Sequence, residues 1–412
     1  MTIEQTLTPD PGVDHSPQMT PTERRASGTL ALIFALRMLG LFLVLPVFAL
    51  EARRYPGGDD PALVGLAMGV YGLTQGVLQI PFGMASDQYG RKRVILIGLA
   101  VFALGSVWAG LADSLHSLVI GRALQGAGAV SAAVTALLAD LTRDSVRTKA
   151  MALVGGSIGL MFALSLVLSP LLASWIGLSG LFVLTAVLSV GGMALVHWGV
   201  PPEPESHRAA GRGGLRRALT DKPLLRLNFG VFVLHAVQLA MWVSVPAFLA
   251  QAGLDKADHW QVYLPAVLGS FVLLGGLFAL ERRGYLRAVF LAAIGLITAV
   301  QIALLWVSFG APSVNTLGLL LFVFFCGFNV LEATQPSLAS RLAPAAVRGS
   351  AMGVYNTLQS LGFFCGGWMG GQLVKGYGAQ GLFVTCALLM LLWLVVAWPM
   401  RAPGRHSAPH AS

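Results

Sequence analysis

Of the 412 residues, 56% are hydrophobic and 11% charged, with a mean hydropathy of +0.74; soluble domains carry roughly 25% charge. This balance excludes a soluble enzyme or a disordered polypeptide and marks an all-α integral membrane protein. The net charge of +9 does not mark a nucleic-acid binder, because no soluble stretch gathers its cations beside exposed aromatics.

In chain order, a polar cytoplasmic tail (1–28) precedes apolar segments at 29–50, 62–82, 94–112, 116–139, 150–173 and 179–200. After a Pro/Gly/Arg-rich linker (201–223) come 224–249, 260–280, 287–308, 315–340, 350–373 and 379–400, and then a short tail (401–412). A transmembrane helix needs about 20 apolar residues, so the pattern predicts twelve spans. These group as two pseudo-symmetric six-helix bundles, 29–200 and 224–400, around a central cleft. The first segment follows a long polar tail without a small-x-small cleavage site, so it reads as a retained helix rather than a signal peptide. With the N-terminus inside, 21 of the 27 Lys and Arg residues fall on the cytoplasmic side, all but Arg37, Arg53, Arg54, Arg122, Lys256 and Lys375. That asymmetry explains the basic charge as orientation, with both termini cytoplasmic. Cys326, Cys365 and Cys386 lie within predicted spans and suggest neither a disulfide framework nor a metal site. No cofactor is expected.

Between the second and third spans lies Gly83-x-x-x-Asp87-x-x-Gly90-Arg91-Lys92-Arg93. The two glycines are expected to open a tight turn and the cations to hold it inside. The halves echo each other: Val146-Arg147 and Ala150-Met151 recur as Val347-Arg348 and Ala351-Met352, and Asp87 to Gly90 as Glu281 to Gly284. Parallel repeats imply a substrate site near the midplane between them.

The motif loop resembles the signature of the major facilitator superfamily, a class of secondary transporters. Arg122-x-x-Gln125-Gly126-x-Gly128-Ala129 is similar to a fourth-helix motif of its drug:proton antiporters. The run from Phe328 through Asn329, Glu332 and Pro336 to Arg341, with Arg37-Met38-Leu39-Gly40, resembles the YajR-like group. The fifth-helix antiporter pattern is weaker, with Gly155, Gly156 and Gly159 followed by Ser169-Pro170. Some YajR-like members carry a C-terminal soluble domain, which this chain is expected to lack. The resemblance implies that Asp87 latches the cytoplasmic side by facing the start of the eleventh helix near Gly349 to Ala351, with Arg91 paired to Asp140 in support.

Ionisable groups inside the bilayer are costly, which makes Arg37, Arg122 and Glu332 functional candidates. Arg122 is either an anchor that snorkels outward or part of proton linkage. Arg37 and Glu332 lie at similar depth, which permits a pair; a carboxyl fixed permanently by Arg37 or by Asn329 would serve packing alone. Asp140 is a further coupling candidate. His235, Gln238, Asn329, Asn356 and Gln359, with Gln125, are polar cleft candidates, and Trp242, Tyr263 and Phe325 aromatic ones. Gly65/Gly69, Gly72/Gly76, Gly366/Gly370 and Gly367/Gly371 form faces for close helix approach. Trp108, Trp198, Trp393 and Trp398 are expected at the interface.

The function expected is a proton-coupled transporter of the bacterial inner membrane, acting as a monomer and exporting small amphiphilic compounds, with protons and the lipid bilayer as its other partners. A proton-coupled importer and a non-transporting receptor or scaffold are the alternatives. No H-E-x-x-H, G-x-S-x-G or Walker pattern suggests an enzyme.

Overall fold

A computed structural model of the chain describes residues 18–203, 219–343 and 348–400. Helix α1 (Pro21–Phe42) begins in the polar tail, earlier than hydropathy suggests. Thr20 Oγ1 accepts from Glu23 N at 3.2 Å and the Glu23 carboxylate accepts from Thr20 N at 2.8 Å, a reciprocal cap that starts the helix outside the apolar stretch. The first span then breaks at Leu43 and Val44, and α2 (Leu45–Glu51) restarts with Pro46 in its first turn, since proline lacks the N–H needed to continue α1.

Helix α3 (Pro61–Tyr89) runs through most of the motif, and α4 (Arg91–Gly110) follows after Gly90 alone. The expected loop over 83–93 is thus a single-residue hinge. Gly90 takes it at a φ of 97°, which a side chain disfavours, whereas Gly83 is an ordinary helical residue whose added Cβ would only touch Ala132 at 3.6 Å. The fourth span is also broken, into α5 (Leu115–Ala127) and α6 (Ser131–Asp140). A Cβ at Gly126 would lie 2.2 Å from Tyr71 O, and one at Gly128 would lie 2.4 Å from Gly98 O. Close seating on α3 and α4 accompanies the break.

Helix α7 (Asp144–Ala194) reverses at Gly177 (φ 64°). The second half brings α8 (Lys222–Gln251), α9 (Trp260–Leu280), α10 (Leu286–Val307), α11 (Val314–Leu342) and α12 (Arg348–Ala397), the last reversing at Gly378 (φ 66°). Gly284 between α9 and α10 has a φ of 103°. Gly177 and Gly378 therefore adopt matching conformations at corresponding places in the two halves, ψ being -173° and -169°, whereas Gly90 and Gly284 share a positive φ but differ in ψ, 140° against 3°. Among the described residues nine helices are long and apolar enough to cross a membrane. Two of them are divided by these glycines, and α9 stands beside them, which is consistent with twelve passes.

The most extensive helix contacts are those of α12 with α3 and with α8. Glycines make them possible, because helix backbones approach closely only where side chains are absent. A Cβ at Gly65 would lie 2.2 Å from Gly367 O, one at Gly72 2.3 Å from Ser360 O, and one at Gly366 2.1 Å from Ala236 O. At the end that the charge distribution assigns to the outside, two ion pairs join the halves: Glu51 with Lys256, and Asp60 with Lys375 at 2.8 Å. Toward the other end the α3–α12 packing opens out. Gly76 still meets Thr357 O at 3.3 Å, but Gly83 meets only its own half, and Gly353 has open space around it.

Trp108, Trp198 and Trp398 are exposed, but Trp393 is buried at 1% exposure, packed on Phe290 and under Gly230. Its expected interfacial place is corrected: nearness to a span end does not fix which face the ring takes. The three cysteines are free.

Candidate substrate cleft and proton site

The broken fourth span creates the setting for Arg37. Its guanidinium, 1% exposed, donates to Gly128 O at 3.3 Å, just past the end of α5, and to Ser131 Oγ at 3.2 Å at the start of α6. It also donates to Tyr71 OH at 2.7 Å and Gln75 Oε1 at 3.4 Å. Gln75 Nε2 in turn donates to Ser360 Oγ on α12 at 3.2 Å. Arg37 thus satisfies backbone freed by the helix break, and it makes no ion pair with Glu332. The permitted Arg37–Glu332 pair is corrected: equal depth is not equal facing.

Arg122 is also 1% exposed, so it does not snorkel. It donates to Gln125 Oε1 at 2.9 Å, Ala67 O at 3.3 Å and Met68 O at 3.4 Å, and stacks over the Tyr71 ring at 5.1 Å. Gln125 passes the chain to Ser106 Oγ at 2.7 Å. Neither buried arginine has a carboxylate partner among the described residues. Carbonyls and rings bear the desolvation cost.

In the second half the arrangement is the converse, a carboxylate without a permanent cation. Glu332 on α11, its side chain 38% exposed, has Oε2 3.2 Å from His235 Nε2 on α8. Gln359 on α12 places Nε2 2.8 Å from His235 Nε2 and 3.4 Å from Glu332 Oε1. His235 Nδ1 lies 2.8 Å from Val231 O, which fixes a hydrogen on Nδ1 and leaves Nε2 to face the carboxylate. Three helices thus meet at one carboxyl. Asn329, the other partner expected for Glu332, instead donates to Ser270 Oγ at 2.8 Å.

Around this cluster stands an aromatic wall drawn from both halves. Phe363 and Phe328 lie 4.8 and 6.1 Å from the His235 ring, Phe162 is 6.2 Å from Phe328, and Phe42 is 5.2 Å from Phe162. Phe325, Trp242 and Tyr263 are buried in the core, so these three expected cleft aromatics do not line an open surface in this conformation. Gln238 is buried with Oε1 unpartnered, and Asn356 is half-buried. Sequence reading missed Tyr71, Gln75, Ser360, Phe162 and Phe363 and named Phe328 only as part of a family motif; of the missed residues Gln75 and Ser360 carried a signal, as polar residues in apolar spans.

At the motif end, Arg91 pairs with Asp87 one turn earlier and reaches Asp140 at 3.1 Å and Ser86 Oγ at 2.8 Å. Asp140 therefore belongs to this surface network, apart from Glu332. Arg93 is exposed. The expected partner of Asp87, the start of the eleventh span near Gly349 to Ala351, borders residues 344–347, which lie outside the described ones; among the described residues Asp87 is ion-paired with Arg91. A partner not foreseen is Glu203 of the linker. Its carboxylate accepts from Arg91 N at 2.9 Å and Lys92 N at 2.6 Å, satisfying the positive N-terminus of α4. On the opposite face of the molecule, Lys375 beside Asp60 holds that carboxyl below the usual carboxylate range.

The family model described as Major Facilitator Superfamily matches residues 30–367. The chain is 44% identical to the inner membrane transport protein YajR of Escherichia coli, over 94% of this chain and 85% of that protein. It is 28% identical to the multidrug resistance protein MdtH of Proteus mirabilis, over 84% and 88%. Among solved structures the nucleoside transporter NupG superposes with a TM-score of 0.72 at 14% identity, over 90% of this chain and 99% of that one, a likeness of fold alone.

Proposed function

Since this chain belongs to the Major Facilitator Superfamily and is a membrane transporter, we propose that it is a proton-coupled secondary transporter that exports small amphiphilic compounds across the bacterial inner membrane by alternating access. Glu332 carries the proton in this reading. One observation bears most of it: the half-exposed carboxyl faces a histidine, a partner that itself gains and loses a proton, rather than an arginine that would hold it ionised.

The rest of the site fits this role. The halves are held together at the outer end by the glycine faces of α3 and α12 and by two ion pairs, so this conformation faces inward. Opening the outer end and closing the inner one changes hydration around Glu332, and with it the carboxyl's hold on a proton. Of the phenylalanines around His235, Phe363 is partly exposed in this conformation and Phe42, Phe162 and Phe328 are buried, so Phe363 is the ring offered to the apolar part of a substrate; the name of MdtH supports compounds of the drug type. Asp87 and Arg91 serve the inner latch, while the buried Arg37 and Arg122 brace the first half.

The test is Glu332→Gln in proteoliposomes. The variant keeps shape and hydrogen bonding but cannot ionise, so substrate exchange at equal pH should persist while uphill transport driven by a pH gradient is lost. Near wild-type uphill transport in Glu332→Gln would falsify the assignment. The same assay, run with the gradient in both directions, separates export from import.

A further inference from the structure

We propose that Gln359 is a positioning residue that stabilises the proton-free His235–Glu332 pair and must release it when a proton arrives, so that α12 senses the proton. The inference rests on the reading of Glu332 as the proton carrier.

It follows from counting hydrogens. With Nδ1–H committed to Val231 O at 2.8 Å, Nε2 of a neutral His235 presents a lone pair. Glu332 Oε2, 3.2 Å away, presents another when the carboxyl is ionised. Two acceptors then face each other without a hydrogen between them. The Gln359 amide nitrogen, 2.8 Å from Nε2 and 3.4 Å from Glu332 Oε1, carries two hydrogens and supplies one to each. That is the pair without its proton.

A proton on either partner removes the need for this bridge. On Nε2 it sets an N–H against the Gln359 N–H at 2.8 Å, a contact between two donors. On Glu332 Oε2 it donates to the same Nε2 lone pair that Gln359 was using. In both cases the amide has to turn over or withdraw. Gln359 sits on the helix that joins the halves: its neighbour Ser360 holds Gln75, which holds Arg37, and Gly72 packs on Ser360 O. The release is therefore delivered to the α3–α12 contact. Of the elements around Glu332, α8 brings His235 and α12 brings Gln359 and the buried Tyr355, whose hydroxyl has no partner among the described residues. Among the described residues, helix α9 brings the Ser270 hydroxyl to Asn329, and α7 brings the Phe162 ring against Phe328.

The experiment is a histidine-selective NMR titration of His235 in nanodiscs, without substrate, on wild type, Gln359→Met and Glu332→Gln. Methionine keeps the length of the side chain and removes both donors. Losing a hydrogen bond to the proton-free pair is worth about tenfold in proton affinity, so His235 in Gln359→Met should protonate about one pH unit above wild type. Gln359→Leu, read the same way, gives a second variant should methionine prevent insertion. A merely structural role for Gln359 leaves the midpoint unchanged, and that result overturns the proposal. If Glu332→Gln also leaves the titration of His235 unchanged, the pair itself is absent and the functional reading fails with it.

Discussion

Lys256→Met should open the outer end of the transporter far more than Lys375→Met, although each removes one of the two ion pairs that join the halves there. The difference lies in burial. The Glu51 side chain is 4% exposed and its partner Lys256 19%, whereas Asp60 and Lys375 are 39% and 54% exposed. Leaving one member of a buried pair behind costs about 3–5 kcal/mol. Here Arg54, 3.3 Å from Glu51 but 70% exposed, compensates in part, which leaves roughly 1.5–3 kcal/mol. Opening the outer end hydrates Glu51 and relieves that cost, so the closed-to-open ratio should fall about 10- to 150-fold. The exposed pair is worth about 0.2–1 kcal/mol, at most roughly fivefold. The assay is labelling of Ala62→Cys by a membrane-impermeant maleimide; Ala62 lies against Gly371 in the closed interface. Equal labelling in the two lysine variants, or no rise in Lys256→Met, refutes the argument from burial.

Two further outcomes are expected. Because Lys375 depresses the Asp60 carboxyl, the contribution of that pair is present above the ordinary carboxylate value and is lost only as pH falls below it; the ratio of Ala62→Cys labelling in Lys375→Met to that with Lys375 intact, which cancels the pH dependence of the thiol and of the rest of the protein, should be the same at pH 7.5 and pH 5, and a ratio that falls to one by pH 5 contradicts the assignment. Asp87→Asn removes a half-exposed ion partner of Arg91 and weakens the inner latch by about 0.2–1 kcal/mol, so an engineered cysteine at Gly353 should label up to about fivefold faster from the cytoplasmic side, and unchanged labelling returns Asp87 to an ordinary solvated charge.

Much of this protein was legible in its sequence because membrane insertion reads one-dimensional patterns. Apolar run length and the placement of Lys and Arg depend on order along the chain alone. The glycine pairs at i and i+4 were equally legible, since helix periodicity puts them on one face without reference to a partner. What the sequence left open was which faces meet. A span specifies neither its rotation nor its tilt, which neighbouring helices set, so Arg37 and Glu332 looked like partners at one depth while packing turned each to its own half. Only the tertiary structure brought His235, Glu332 and Gln359 together from three helices, because a hydrogen-bonded site needs ångström-scale facing of side chains 97 to 124 positions apart in part of its span. It also decided that Gly128 breaks the fourth span and that Glu203 caps α4, since close backbone packing and carboxylate capping are set by what stands opposite.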